Sequence, residues 1–268
     1  MAEFEIAAGE SLYYEHDAPG AAGETFVFVN ALTGDTAMWQ ATVGPALRAA
    51  GHGTVSYNFR GQARTRFRDD TALTPDLIVA DLNALVDHLA PRRPVLVGLS
   101  IGGLFAAQAQ LAKPRSAGLV LINTLRKPGG RLDWINRTMV ELARLGGSRL
   151  LMAANLPMIV NPDFLTSLWQ RTFEAGPFEP MDPKDGLFRL MAGSLEAHWD
   201  LPYEDLDLPV LVMTGAHDRL FRIDSDVAEL AARLPRAREV RFPDAGHLIP
   251  AERPEAFTRE LIAFAEGL

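Results

Sequence analysis

The segment of this chain best suited to chemistry is Gly98–Gly103, with the sequence GLSIGG. It follows the apolar run Pro94–Val97 and precedes a run of small and apolar residues that begins at Leu104. A strand that turns sharply into a helix, with one serine between two glycines, is typical of a nucleophilic serine. The glycines are needed because the strand and the helix close on each other at the turn. We therefore predict that Ser100 is a nucleophile, and the alternative is a helix N-cap serine flanked by turn glycines.

A serine hydroxyl is a poor nucleophile near neutral pH and needs a general base, which is usually a histidine. Among the six histidines, His247 lies in a Pro-Asp-Ala-Gly-His-Leu loop between the last predicted strand and the last predicted helix. A loop at a strand end is where a base that faces Ser100 has to lie. We therefore predict that His247 is the base. His198 lies in a helical region and is a candidate for lining the substrate pocket instead.

The base needs a carboxylate that fixes its tautomer and stabilises the imidazolium. Asp218 follows the predicted strand Leu208–Met213 in another strand-end loop, Thr-Gly-Ala-His-Asp. Asp244 is the competitor, but it precedes His247 by only three residues and is poorly placed to meet the imidazole edge. The resulting order along the chain is Ser100, Asp218, His247. This is the serine, acid, histidine order found where the nucleophilic serine lies on a sharp strand-to-helix turn.

Negative charge that develops on a tetrahedral intermediate needs preorganised hydrogen-bond donors. One donor is the backbone N–H of Ile101, the residue after the nucleophile. The second is expected in the loop after the predicted strand Thr25–Asn30, and the N–H of Leu32 is our choice. These two amides form the predicted oxyanion hole.

Short apolar runs alternate with helical patterns along most of the chain. An opening hairpin is predicted from Phe4–Ala7 and Leu12–Glu15. Further strands are predicted at Thr25–Asn30, Gly53–Tyr57, Pro94–Val97, Gly118–Ile122, Leu208–Met213 and Ala237–Phe242, and helices at Met38–Ala50, Pro75–Leu89, Asp224–Leu234 and Pro254–Gly267. Strands with nearly continuous apolar residues that alternate with helices favour a parallel sheet covered on both faces. The predicted fold class is therefore α/β.

The stretch from about Leu125 to Trp199 contains no convincing strand. Its helical pieces are predicted at Leu132–Leu145, Phe164–Phe173 and Leu187–His198. We interpret residues 125–199 as a helical cap over the strand ends, and residues 1–124 and 200–268 as the core domain. A cap of this kind forms the roof of a pocket at the carboxyl ends of the strands. The predicted substrate-binding residues are Trp134, Trp169, His198 and Arg126.

Composition excludes several classes of function. The formal net charge is −8, and we find no block of Lys and Arg that would follow phosphates, so nucleic acid is not an expected partner. No apolar run is long enough to span a bilayer, and the acidic start Met1–Glu5 does not resemble a signal peptide, so we expect a cytoplasmic protein. The absence of cysteine excludes a cysteine nucleophile, thiolate metal sites and disulfides. We predict no metal and leave the oligomeric state open.

Together, Gly98–Gly103, Gly215–Asp218 and Gly246-His247 resemble the α/β-hydrolase fold, and the resemblance covers essentially the whole chain. The segment Arg60-Gly61-Gln62 resembles the Arg-Gly segment that follows strand four in that family. The resemblance implies a mostly parallel eight-stranded sheet with flanking helices and a helical cap inserted after strand six. It also implies ester-type hydrolysis without a cofactor.

Within the family, Asn30-Ala31-Leu32 and Met38-Trp39 resemble the group of 3-oxoadipate enol-lactonases, esterases and cofactor-free haloperoxidases. The chain departs from the usual pattern at Asn58 and Ala63, where an Asp and a second Gly are common. A serine nucleophile disfavours haloalkane dehalogenases and epoxide hydrolases, which use a carboxylate. Leu248 after the histidine disfavours the carbon–carbon bond hydrolases, which often have an aromatic residue there.

We therefore expect a serine hydrolase that cleaves a small carboxylic ester or lactone. The alternatives are a perhydrolase or cofactor-free haloperoxidase, a carbon–carbon bond hydrolase, and a ligand receptor that has retained the triad. Four arginines near predicted strand ends or the start of the cap could pair with a substrate carboxylate: Arg64, Arg126, Arg131 and Arg219. Solvated surface arginines are the interpretation we favour for this set.

Overall fold

Eight strands form one sheet in the computed structural model, which describes residues 2–21 and 23–268. The strands are β1 (Ala2–Ala7), β2 (Glu10–Asp17), β3 (Thr25–Val29), β4 (Gly53–Tyr57), β5 (Pro94–Leu99), β6 (Gly118–Ile122), β7 (Val210–Gly215) and β8 (Ala237–Phe242). Their spatial order is β1-β2-β4-β3-β5-β6-β7-β8. β2 is antiparallel to β1 and to β4, and all other neighbours are parallel. The predicted mostly parallel eight-stranded sheet is confirmed.

Ten α-helices connect or follow the strands in the described residues. They are α1 (Thr36–Thr42), α2 (Gly44–Ala49), α3 (Pro75–Leu89), α4 (Ile101–Ala112), α5 (Gly130–Ile159), α6 (Pro162–Ser167), α7 (Gly186–Gly193), α8 (Asp224–Ala232), α9 (Ile249–Glu252) and α10 (Pro254–Ala265). Within residues 2–21 and 23–268, no helix combines the length and the apolar character that crossing a membrane requires.

Two boundaries differ from the sequence prediction for reasons of proline chemistry. The single helix predicted over Met38–Ala50 is divided at Val43, which ends α1 and precedes α2. Pro45 lacks an N–H and its ring is incompatible with a continuous helix through the preceding turn. β7 begins at Val210 rather than Leu208, and Pro209 has no N–H to offer a neighbouring strand.

The core consists of two apolar layers on opposite faces of the sheet. Phe26 and Phe28 of β3 pack in the layer that includes residues of α1, α2 and α10. Val27 and Val29 of the same strand pack in the layer that includes residues of α3, α4 and α8. This division follows from the alternation of side chains along a strand, and it explains why the central strands are apolar at every position.

Between β6 and β7 the chain is mainly helical, and residues 125–199 contain no strand. The predicted helix Leu132–Leu145 lies inside α5. The other two predicted helices are each divided: Phe164–Phe173 between α6 and a π-helical turn at Gln170–Glu174, and Leu187–His198 between α7 and a 3₁₀ turn at Ser194–Glu196. The assignment of residues 125–199 to a separate cap stays a prediction.

The helix α5 changes direction at two consecutive glycines. Gly146 and Gly147 have non-helical backbone angles, and φ is +69° at Gly147. A Cβ atom at Gly147 would lie 2.6 Å from the carbonyl oxygen of Glu179. The bend therefore depends on glycine, and both halves of α5 contribute side chains to the cavity described below.

The parallel strands place five predicted site residues at one edge of the sheet. Leu32, Ser100, Arg126, Asp218 and His247 follow β3, β5, β6, β7 and β8 respectively. These five strands are consecutive neighbours in the sheet and run in the same direction. Their carboxyl ends therefore meet at one edge, where open α/β sheets bind ligands.

Candidate active site

Ser100 occupies a strained turn between β5 and α4. Its backbone angles are φ 60° and ψ −124°, and its N–H donates to the Ile122 carbonyl at 2.8 Å. A Cβ atom at Gly98 would lie 2.3 Å from the backbone of Gly103, and one at Gly102 would lie 2.3 Å from the Asn30 carbonyl oxygen. Any larger residue at either glycine would push the strand and helix apart, so the Gly-x-Ser-x-Gly spacing is a steric requirement here.

Asp218 and His247 form a buried pair. The Asp218 Oδ2 atom lies 2.6 Å from Nδ1 of His247, and Asp218 Oδ1 accepts the Phe221 N–H at 2.9 Å. With Nδ1 facing the carboxylate, the other ring nitrogen, Nε2, is free to act on a second group. Burial by itself raises the pKa of Asp218, but the charge and hydrogen bond of His247, the Phe221 N–H and the charge of Arg126 together hold that pKa below its usual value.

Two side chains that the sequence analysis did not single out hold the Asp218 and His247 loops in place. Asn123, just after β6, donates from Nδ2 to the carbonyls of Gly246 and His247 at 3.0 Å, and its Oδ1 accepts the Gly215 N–H at 3.0 Å. It therefore ties the end of β7 to the loop after β8. The sequence signal for this positioning role of Asn123 was a polar residue directly after an apolar strand.

Glu252 holds the His247 loop from the other side. Its buried carboxylate accepts the Gly246 N–H at 2.8 Å and the Leu248 N–H at 2.9 Å, the residues on either side of His247. It also accepts hydrogen bonds from the backbone N–H and the Nδ2 group of Asn161, the N-cap residue of α6. One carboxylate thus connects the histidine loop to the insertion between β6 and β7.

The loop that carries Leu32 is fixed by Gln62. The Gln62 Nε2 group donates to the carbonyls of Ala31 at 2.9 Å and Leu32 at 3.0 Å. In a trans peptide the N–H points opposite to the preceding carbonyl, so the Leu32 N–H is directed away from Gln62. Ile101 is the first residue of α4, where an N–H has no partner within the helix. Both residues line the cavity, and their role as oxyanion donors stays a prediction.

A buried polar network supports the same loop from behind. Asn30 donates from Nδ2 to the Tyr57 carbonyl at 2.8 Å, to Asn58 Oδ1 at 3.2 Å and to Gln62 Oε1 at 3.0 Å. The Trp39 Nε1–H donates to Asn30 Oδ1 at 2.7 Å. Asn30 and Asn58, two residues that the sequence analysis compared with the family pattern, therefore act together as a scaffold for Leu32.

Arg126 is in direct contact with the candidate nucleophile. Its Nη2 donates to Ser100 Oγ at 2.7 Å and to the Asn123 carbonyl at 3.1 Å. Within residues 2–21 and 23–268, Ser100 makes no hydrogen bond to His247. Catalytic hydrogen bonds often form only in the complex with substrate, so this arrangement is compatible with His247 as the base. Arg126 is only 6% exposed, which corrects the interpretation of this arginine as a solvated surface residue.

A cavity of about 90 Å³ lies over Ser100. Its polar lining includes Ser100, Arg126 and His247, together with Asn136 and Asn155 of α5. Its apolar lining comes mainly from the segment between β6 and β7 and from the loop after β3: Leu32, Met139, Val140, Leu151, Met152, Met191, Leu195 and Trp199. The segment between β6 and β7 therefore forms much of the cavity wall.

Three predicted substrate-binding residues lie outside this cavity. Trp134 is 77% exposed and Trp169 is 59% exposed, and Trp169 packs on Phe173. His198 is also exposed, and it is the next residue, Trp199, that faces the cavity. These placements correct the prediction, which could not determine which face of each helical piece turns toward the sheet.

The sheet order, the strained serine after β5, the aspartate after β7 and the histidine after β8 are together typical of α/β-hydrolase-type proteins, in which a serine lies on a sharp strand-to-helix turn. The chain belongs to the alpha/beta hydrolase family, whose family model matches residues 26–260.

Relatives of this chain carry several different activities in their names. It is 28% identical over 256 residues to "Putative non-heme bromoperoxidase BpoC" of Mycobacterium tuberculosis, covering 90% of this chain and 94% of that protein. The enol-lactonase from Burkholderia xenovorans superposes with a TM-score of 0.79 at 25% identity, covering 98% of this chain and 99% of the other. The alpha/beta hydrolase MGS-M2, from a deep-sea metagenome library, superposes with a TM-score of 0.82 at 22% identity, covering 100% and 98%, which shows the shared fold.

Proposed function

We propose that this protein is a serine hydrolase that cleaves small carboxylic esters or lactones through an acyl-enzyme intermediate. The observation that carries the proposal is the Asp218–His247 pair, with Oδ2 and Nδ1 2.6 Å apart, whose histidine lines the same cavity as Ser100 in its strained turn. Family membership and the similarity to an enol-lactonase support hydrolysis of this kind. The small, mainly apolar cavity favours a small substrate.

In the first half of the proposed reaction, Ser100 Oγ attacks the carbonyl carbon and its proton passes to Nε2 of His247. Asp218 stabilises the imidazolium that forms, and the N–H groups of Leu32 and Ile101 bind the oxyanion. The imidazolium then gives its proton to the leaving alkoxide oxygen as the ester C–O bond breaks. The acyl group remains on Ser100, and in a lactone the alcohol stays attached to it.

In the second half, a water molecule gives a proton to His247 and attacks the acyl carbon. The bond to Ser100 Oγ breaks, the serine recovers its proton from His247, and a carboxylic acid is released. The steps balance with water as the only co-reactant.

A second candidate is perhydrolysis, which the similarity to the bromoperoxidase-named relative favours. Hydrogen peroxide would replace water in the second half and leave with the acyl group as a peracid. Measuring peracid formation against acid release at increasing peroxide concentration separates the two reactions. If the carboxylic acid is the only product at every peroxide concentration, perhydrolysis is excluded.

Replacing Ser100 by Ala tests the proposed function. We expect turnover of p-nitrophenyl acetate to fall to the rate without enzyme, because the covalent intermediate can no longer form, while the circular dichroism spectrum is unchanged. Ser116→Ala is the matched control, since Ser116 precedes β6 at the opposite edge of the sheet and should leave turnover unchanged. Turnover retained in Ser100→Ala would contradict the proposal.

A further inference from the structure

The Arg126 guanidinium is a buried charge without a carboxylate partner. In the described part of the chain, no Asp or Glu oxygen lies within salt-bridge distance of its nitrogens. Its Nε atom is buried and has no hydrogen-bond partner. Arg60, the other strongly buried arginine at a strand end, pairs with both Glu10 and Asp81. Arg126 thus lacks the direct carboxylate partners that compensate the buried charge of Arg60.

Aromatic rings hold this guanidinium at the cavity wall. Its central carbon lies 4.1 Å from the ring centroid of Phe221 and 4.9 Å from that of Trp199. Such contacts restrain the group and keep water from its faces, but they do not satisfy its N–H donors. Burial lowers the pKa of Arg126 to about 10, and the charge of Asp218 opposes that shift, so the group is still cationic near neutral pH.

Arg126 also has a definite position relative to the predicted oxyanion hole. The sheet order β3-β5-β6 places Leu32 and Arg126 on opposite sides of the strand that carries Ser100. A substrate carbonyl whose oxygen faces Leu32 and Ile101 therefore directs another of its groups toward Arg126. The guanidinium fork matches a carboxylate, which can accept two parallel hydrogen bonds.

We propose that Arg126 is a carboxylate-binding residue of this site, so that the preferred substrates are esters or lactones that carry a free carboxylate. This inference rests on the proposed function, because it assigns the substrate of the same cavity. On binding, the carboxylate pairs with the guanidinium and supplies the missing acceptors, and Ser100 Oγ is released from Arg126 for attack. The carboxylate belongs either to the acyl part or to the alcohol part of the substrate.

Matched pairs of esters test the inference. For the acyl part, mono-p-nitrophenyl glutarate is compared with p-nitrophenyl pentanoate, which has the same chain length without the charge. For the alcohol part, 4-acetoxybenzoate is compared with phenyl acetate. The readout is the ratio of kcat/KM for the charged ester to that for the neutral ester, after subtraction of the rates without enzyme. We expect a ratio well above one in one of the two pairs.

Variants of Arg126 separate substrate binding from an effect on the nucleophile. Arg126→Gln keeps a hydrogen-bond donor near Ser100 but removes the charge, and it should lower the charged-to-neutral ratio roughly 10- to 100-fold. Arg126→Lys should retain part of the preference. Arg137→Gln, which changes an exposed arginine of α5 that does not line the cavity, is the control and should leave the ratio unchanged. An equal loss for charged and neutral esters in Arg126→Gln would mean that Arg126 acts on Ser100 alone, and would overturn the inference.

Inhibition of the unmodified protein gives a result that does not depend on how the variants fold. Glutarate should inhibit hydrolysis of the neutral ester competitively, and much more strongly than uncharged pentanamide. Ser100-dependent hydrolysis with no preference for charged esters and no inhibition by glutarate would overturn this inference and leave the proposed function standing. Hydrolysis that persists in Ser100→Ala would instead contradict the proposed function itself.

Discussion

At the scale of single residues, the site is organised by which groups have their hydrogen bonds satisfied. Asp218 is satisfied from both of its oxygens, by His247 and by the Phe221 N–H. Arg126 is not, because its Nε atom has no partner. Asp218 is therefore held in place as a support for the imidazole of His247, whereas Arg126 still has hydrogen-bond donors available for a ligand.

Replacing Asp218 by Asn tests the first of these roles. We expect kcat for a neutral ester to fall by a factor of roughly 10³ to 10⁴, because an amide cannot stabilise the imidazolium and favours the wrong tautomer. Steady-state kinetics measures the loss. Asp244→Asn is the control, since Asp244 is exposed and pairs with Arg253. A larger loss in Asp244→Asn than in Asp218→Asn would show that the acid has been assigned to the wrong residue.

At the scale of elements, a buried ion-pair cluster connects the amino-terminal strands to the helix layer. The Arg60 guanidinium lies after β4 and makes two hydrogen bonds to Asp81 of α3, at 2.8 and 2.6 Å, and one to Glu10 of β2 at 2.6 Å. The same loop continues to Gln62, which holds the Ala31 and Leu32 carbonyls. The cluster therefore anchors the segment that supports the predicted oxyanion loop.

Arg60→Ala should destabilise the protein by about 3–5 kcal/mol, because the change leaves two buried carboxylates without their partner. Urea unfolding followed by circular dichroism measures the difference in the free energy of unfolding. Arg66→Ala is the comparison, because it removes the exposed pair between Arg66 and Glu3, and it should cost about 0–1 kcal/mol. Similar losses in the two variants would argue against a structural role for the buried cluster.

At the scale of the whole molecule, the sequence was sufficient to predict which residues lie at the carboxyl ends of the parallel strands. The apolar runs identify the parallel strands, and the carboxyl ends of parallel strands lie at one edge of the sheet. Ser100, Asp218 and His247 could therefore be assigned to that edge from the sequence alone. The structure places all three there. Their catalytic roles remain part of the proposed function.

What could not be predicted depends on how the insertion packs. The sequence analysis predicts Trp134 and Trp169 as substrate-binding residues, yet both are exposed, and Trp199 faces the cavity instead. The facing of a helix with apolar residues on several sides is decided by its tertiary neighbours and not by its own periodicity. Asn123 was missed because the loop that it holds around His247 is distant in sequence, and Glu252 because its carboxylate joins that nearby loop to Asn161, which is also distant in sequence.

The central claim is that Ser100 carries the acyl group during turnover. The most direct test is to mix the protein with p-nitrophenyl acetate, quench with acid within the first turnover, and map the modified peptide by mass spectrometry. The account predicts an added acetyl group on Ser100 that disappears as the substrate is consumed. Acetylation at any other residue during turnover, or product release with Ser100 unmodified at every time point, would contradict it.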